Sequence, residues 1–404
     1  MSARQASGRA ARVRPATGRR ASPVRSQVGD SVAGVAPPPP LRMIDLFAGC
    51  GGMTRGFVDA GGFTPVGAVE EMIQPAATYA ANFGADHIVH GDIADYLDVP
   101  KADLVVGGPP CQGFSNLGKK DPDDLRNKLW AEFVRVVVAS EADMFVFENV
   151  ERFSRSAEYD LLKGETAKEG KLADFEFRLF TLNAADFGTP QKRIRSVIVG
   201  SRCGTPVAPE HSHDRQGADG LPLWRTVRDA IGHLEFKVGD VPLPDTRHDF
   251  SGKRVGGEYK LAEIHVSRRY DPTSIARFEY VPPGGNRFNL PWILQTPGWR
   301  KHLTGSGDVM GRLQWDQPSV TIRCEFHKPE KGRYLHPQWE KDGFQINRAL
   351  TLAEGALLQG FSDDHVWCGS KTGIAKQIGN AVPPPMAKQI ALSVKPLLLA
   401  RPSR

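Results

Sequence analysis

The 404-residue chain has no run of 18 or more apolar residues, which excludes a transmembrane helix. Cysteine is scarce: Cys50, Cys111, Cys203, Cys324 and Cys368 are odd in number and scattered. No CxxC pair or His/Cys cluster has zinc spacing, so no metal is expected. No disulfide framework can be drawn, and a reducing cytosol fits best. Internal repeats are missing too. Acidic residues are nearly absent from the first forty positions, where Asp30 stands against Arg4, Arg9, Arg12, Arg14, Arg19, Arg20 and Arg25. That imbalance accounts for the whole formal charge of +6, because residues 41–404 carry 45 bases and 45 acids. A basic chain suggests an anionic partner, but here the charge says nothing about the folded body.

Residues 1–40 are Ala, Arg, Ser, Gly and Pro without an apolar period, and read as a disordered basic tail. They lack the apolar stretch of a secretory signal, and their Arg-rich makeup loosely resembles an organelle transit peptide. From Leu41 the pattern changes. LRMIDLF, TPVGAVE, ADLVVGG, MFVFENV and RSVIVG read as strands, with helix-compatible stretches between them. Leu125, Leu129, Phe133, Val136 and Val137 fall on one helix face ahead of MFVFENV. Strands alternating with helices predict an α/β fold: a parallel sheet covered on both faces, with ligands outside the carboxyl ends of the strands. Residues 201–346 differ, with frequent Pro, Gly and His and with Trp224, Trp292, Trp299, Trp315 and Trp339. So many tryptophans predict a second, smaller folded region. RALTLAEGALLQGF and a C-terminal helix then restore regularity.

The loops after the strand ends carry the chemistry. In DLFAGCGG, closely spaced glycines let backbone approach a ligand. Gly49 and Gly51 begin a GxG, but Thr54 leaves the dinucleotide fingerprint incomplete. Glu70 ends the second strand, where an acid commonly takes the ribose hydroxyls of a nucleoside cofactor. Pro109 and Pro110 rigidify the approach to Cys111, as suits a nucleophile held in one place. Its thiol also needs activation, being mostly protonated at neutral pH. Glu148 follows MFVF, where a carboxyl in a closed pocket can serve as an acid. Arg193 and Arg195, two apart on a strand, share a face and can position a carboxylate, a base carbonyl or a phosphate.

Together these segments resemble the DNA (cytosine-5) methyltransferase family of bacterial restriction–modification type, from about Leu41 to the C-terminus. DLFAGCGG resembles the first cofactor motif, and Glu70 the ribose-binding acid. HGDI places Asp92 where the family contacts adenine. GGPPCQGFS is similar to the catalytic loop, FENV to the ENV motif and QKRIR to QxRxR. RALTLAEGALLQGF and IGNAVPPPMA resemble the last two motifs. All stand in family order.

The resemblance implies a Rossmann-like catalytic domain from residues 41–202 and 347–404, bound to S-adenosyl-L-methionine. Residues 203–346 become an irregular, β-rich target-recognition region with its return segment. The target cytosine is flipped out of double-stranded DNA, Cys111 attacks carbon 6, and Glu148 protonates ring nitrogen 3. Arg195 holds base and acid, with Arg193 beside it. Carbon 5 then accepts the methyl group. Phe47, Gly49, Glu70, Asp92 and Asn380 are the implied cofactor contacts, and the loop Gln112 to Lys128 would close over DNA. Arg268, Arg269, Tyr270, Arg277, Arg287, Trp299, Arg300 and Lys301 are candidate groove readers, while Arg312 to Pro337 reads as scaffold. The one helix oddity is Gly355, where the family usually has a better helix former.

The implied protein is a cytoplasmic, nucleoid-associated monomer, paired in function with a restriction endonuclease but not in a stable complex. A tRNA-methylating relative is the nearest alternative, but the CFT-containing stretch of that branch is not found. A non-catalytic DNA-binding relative would have a broken catalytic set, and a nicotinamide oxidoreductase would explain only the glycine turn.

Overall fold

A computed structural model describes residues 39–110, 129–302, 304–305, 307–340 and 343–401. Cys111, the loop Gln112 to Lys128, and the basic tail up to residue 38 lie outside the described residues. Seven strands form the central sheet: β1 (Leu41–Leu46), β2 (Phe63–Glu70), β3 (Ile88–His90), β4 (Leu104–Gly107), β5 (Met144–Val150), β6 (Glu176–Asn183) and β7 (Ile194–Ser201). Their order is β3-β2-β1-β4-β5-β7-β6. The first five run parallel, whereas β7 is antiparallel to both β5 and β6. The all-parallel expectation is therefore corrected at one edge. Only a short connection with a 3-10 turn (Ala184–Phe187) joins β6 to β7, and a parallel return would need a longer crossover.

Successive strand residues point to opposite faces, and both faces here are apolar. Met43, Val106, Met144, Val146 and Val199 pack against α1 (Gly52–Asp59) and α10 (Pro384–Ala400) through Phe57, Met386, Ile390 and Val394. Ile44, Leu46, Val105, Phe145 and Phe147 turn the other way. They meet Phe133, Val136 and Val137 of α3 (Leu129–Ala139) and Leu162 of α4 (Ala157–Gly164). Each such side chain taken out of water contributes about 1.5–3 kcal/mol. The sheet's strand order reverses between β1 and β4, and the carboxyl ends there open the crevice where α/β folds bind ligands.

A fourth helix of the first half, α2 (Ile73–Phe83), packs alanines and Tyr79 over Ala48, Ala68 and Ile88. Beyond β7 the chain is irregular, as expected, but it carries less strand than the β-rich reading requires. It has α5 (Val227–Ile231), the hairpin β8 (Arg247–Phe250) and β9 (Lys253–Gly256), α6 (Pro272–Phe278) and α7 (Pro297–Lys301). The pair β10 (Gly311–Arg312) and β11 (Arg333–Leu335) follows. Prolines and glycines interrupt the longer ladders that strands would need. Phe278, Val281, Leu290, Met310 and Leu335 form a small core of their own. Val227, Ile231, Leu313, Ile322, Phe326 and Tyr334 instead join the core of α8 (Leu352–Gln359) and α9 (Lys371–Asn380). Arg312 is fully buried. Its guanidinium donates to the carbonyls of Phe278, Val281, His336 and Ile346 and to Asn347 Oδ1. One side chain thus ties the segments of this region together.

Candidate active site

The carboxyl end of β1 turns at once. Phe47 and Gly49 both adopt left-handed backbone, at φ 57° and 56°, and Ala48 N–H donates to Val69 O on β2. That turn aims Gly49 N–H at Glu70 Oε2, 3.0 Å away, while Met72 N–H donates to Oε1 at 2.9 Å. Two backbone donors therefore fix the Glu70 carboxylate between the ends of β1 and β2. Burial pushes its pKa up, against the pull of those two donors. Asp92 lies one strand further along, exposed, with Oδ1 capping a short 3-10 turn through Ala94 N–H.

Beneath the turn lies a network that sequence reading did not single out. Thr54 Oγ1 donates to Asp45 Oδ2 at 2.6 Å and stands 3.2 Å from the Tyr79 hydroxyl. Burial raises the Asp45 carboxyl to about 7. The available signal was an acid inside a mostly apolar strand, nine residues before a threonine on the helix that follows.

At the end of β4, Gly108 allows a close approach: a Cβ there would sit 2.9 Å from Glu148 Oε2. Glu148 is 8% exposed, and its Oε1 pairs with Arg195 Nε at 2.9 Å. The antiparallel direction of β7 makes this pair. Arg195 lies near the start of β7, which places it at the carboxyl edge of β5, opposite Val150. A parallel strand would have left it at the far edge. Asn149 Nδ2 donates to Pro109 O at 3.1 Å, and its Oδ1 accepts from Val150 N–H. The ENV segment thus presents the acid and anchors the Pro109-Pro110 approach to Cys111.

Arg193 reaches the same neighbourhood but does different work from that expected. It is 3% exposed, and its guanidinium donates to Ile322 O and Gly379 O, each at 3.1 Å. Burial, with Arg195 nearby, lowers its pKa to about 9. Gln191 repeats the pattern. Its Nε2 donates to Gln359 Oε1 and Leu358 O, and its Oε1 accepts from Ile322 N–H. The first two residues of QxRxR are structural ties; only Arg195 faces the acid. Asn380 ends α9 with its Oδ1 accepting from Cys324 Sγ at 2.8 Å, beside the Gly379 carbonyl that Arg193 holds.

Residues 41–396 match the family model described as C-5 cytosine-specific DNA methylase. The chain belongs to this family. It is 34% identical over 369 residues to the type II methyltransferase M1.HphI of Haemophilus parahaemolyticus, covering 88% of this chain and 86% of that one. It is 28% identical to M.DdeI of Desulfomicrobium norvegicum, covering 87% and 88%. Among solved structures, a protein described as a DNA modification methyltransferase encoded within an E. coli prophage superposes with TM-score 0.61 at 24% identity, over 89% of this chain and 99% of that one. The S. pombe Dnmt2 methyltransferase gives TM-score 0.54 at 18% identity, over 88% and 99%. These structural likenesses are of fold.

As a C-5 cytosine-specific DNA methylase, the chain is a DNA cytosine-5 methyltransferase. Glu148 and Arg195 stand paired at the carboxyl edge of β5. Cys111 follows Pro110 directly and lies outside the described residues. Among the described residues, no helix is long and apolar enough to cross a membrane.

Proposed function

We propose that the chain methylates carbon 5 of a cytosine flipped out of a specific double-stranded DNA sequence, with S-adenosyl-L-methionine as donor. We further propose that it is the protective methylase of a type II restriction–modification system, acting as a cytoplasmic monomer without a stable endonuclease complex. The names of its relatives support the second part. The Glu148–Arg195 ion pair at the carboxyl end of β5 carries the first.

Donor binding falls to Phe47, Gly49, Glu70, Asp92 and Asn380. The fixed Glu70 carboxylate suits a ribose diol, because its oxygens can accept further hydrogen bonds beside the two they receive. Bound there, S-adenosylmethionine supplies an electrophilic methyl group. The protein's own groups make the ring ready for it. The Cys111 thiolate adds to carbon 6 while the Glu148 carboxyl gives a proton to nitrogen 3, which spares the ring a full negative charge. Arg195 keeps Glu148 in that orientation. Arg193 positions the strand start that carries Arg195, through its two carbonyl partners. Loss of the carbon-5 proton then restores the double bond and frees Cys111.

Expression in a host without cytosine methylation, followed by bisulfite sequencing, tests this reading. Protection of one cytosine in one recurring sequence is expected. Unmodified DNA, with labelled methyl groups entering tRNA instead, would overturn it.

A further inference from the structure

The recognition region offers many cations, but the structure removes several from the list of groove readers. Arg287 is 4% exposed and donates to Trp299 O and His302 O. Tyr270 accepts Ala349 N–H with its hydroxyl. Arg277 Nε donates to Leu294 O at 2.8 Å. Arg300 donates to Trp292 O and Ile293 O. Two guanidinium groups therefore grip three consecutive carbonyls, those of residues 292, 293 and 294. Gln295 Nε2 adds a bond to Leu290 O, and Thr296 Oγ1 caps α7 by accepting Trp299 N–H.

What this bracing holds out is apolar. Trp292 is 62% exposed with Arg300 stacked over its ring at 5.0 Å, and Ile293 is 83% exposed. Tyr280 and Phe288 are about half exposed. A rigid, projecting apolar pair marks an interaction surface, and its ordering cost is already met before binding. The surroundings select a polyanion as partner. Residues 264–302 hold six bases (Arg268, Arg269, Arg277, Arg287, Arg300, Lys301) against Asp271 and Glu279, within a folded body of no net charge. Arg268, Arg269 and Lys301 stay exposed and suit phosphates.

We propose that Trp292 and Ile293 form the base-reading tip of this methylase, with Ile293 against the 5-methyl group of a thymine. This rests on the DNA reading above. An aliphatic side chain cannot exchange hydrogen bonds with a base edge. The one apolar group that a base pair presents in the major groove is the thymine methyl. The tip therefore reads by apolar contact, and two of the arginines expected to read bases, Arg277 and Arg300, hold it in shape.

The experiment uses the full chain and duplexes bearing its methylation site, each thymine of the site being replaced in turn by uracil. DNA affinity and KM are measured for the native protein, Ile293→Ala and Trp292→Ala. One uracil substitution is expected to weaken native binding about fourfold, the worth of one buried methyl group. Ile293→Ala should bind native DNA about tenfold more weakly and ignore that same substitution. Trp292→Ala should raise KM with kcat retained at saturating DNA. A site without thymine overturns the proposal, as does native protein indifferent to every uracil, or a uracil penalty undiminished in Ile293→Ala. Loss of a dimer in Ile293→Ala, seen by sedimentation, would overturn it too by making the tip a self-association surface. Site-specific methylation with no methyl effect defeats the tip alone, whereas no methylation of any DNA defeats the function reading beneath it.

Discussion

The proposed acid, Glu148, sits in an ion pair with Arg195, and its removal would separate chemistry from binding. Glu148→Gln keeps the side chain's shape but cannot cycle a proton, so kcat should fall by about 10²–10⁴. Duplex binding, followed by fluorescence anisotropy, should persist; a variant with unchanged kcat would remove Glu148 from the mechanism. Asp45 makes a pH prediction. Its folded pKa of about 7 lies above the ordinary 3.8, so the folded state binds the extra proton between those values. Stability from this group is therefore highest below about pH 4 and falls as pH rises to about 7, by roughly 4 kcal/mol in all. Asp45→Asn should gain stability relative to the native chain between pH 5 and 8 in urea titrations. A constant difference across that range would contradict the assignment.

At the scale of elements, α8 shows why a poor helix former sits in a helix. A Cβ on Gly355 would strike the ring of Phe326, so Gly355→Ala should cost about 1–3 kcal/mol by overpacking. Combining it with Phe326→Leu should recover part of that loss, as double-mutant denaturation would reveal. The same helix opens with a capping box, in which Thr351 Oγ1 accepts Glu354 N–H and Glu354 accepts Thr351 N–H. Glu354 also takes a two-pronged bond from Arg348 at 2.7 and 2.8 Å. Glu354→Gln leaves a buried guanidinium without its counter-ion and should cost about 3–5 kcal/mol. Elements with strong periodicity were legible: β1, β2, β4, β5, β7 and the helix face of Phe133, Val136 and Val137. β3 was not, because three residues cannot show a period. β6 was not either, because as an edge strand it mixes Glu176, Arg178 and Thr181 with the half-buried Phe177, Leu179 and Phe180, and buries only Leu182. What reads as one C-terminal helix is two, α9 and α10, divided at Ala381–Pro383. The direction of β7 was invisible in the sequence and is what joins Arg195 to Glu148.

Over the whole molecule, the candidate site was legible as local motifs because most of its proposed residues follow strand ends directly. The partners of Gln191 and Arg193 were not legible in the sequence because they lie far along the chain, at Ile322, Gln359 and Gly379. Charge behaves likewise: the net +6 belongs to residues 1–40, and the neutral body concentrates its bases locally. Removing residues 1–40 should leave sequence-specific methylation intact while reducing non-specific, salt-sensitive DNA binding. Loss of methylation in that truncation would give the tail a part in folding or catalysis. The central claim is covalent attack by Cys111 on a base held by Glu148 and Arg195. DNA carrying 5-fluorocytosine at the target position tests it, since fluorine cannot leave as the carbon-5 proton does. Incubated with the methyl donor, the native chain should form a DNA adduct that survives denaturation, with its mass mapping to Cys111, and Cys111→Ala should form none. An adduct in Cys111→Ala, or turnover by it, would contradict the account.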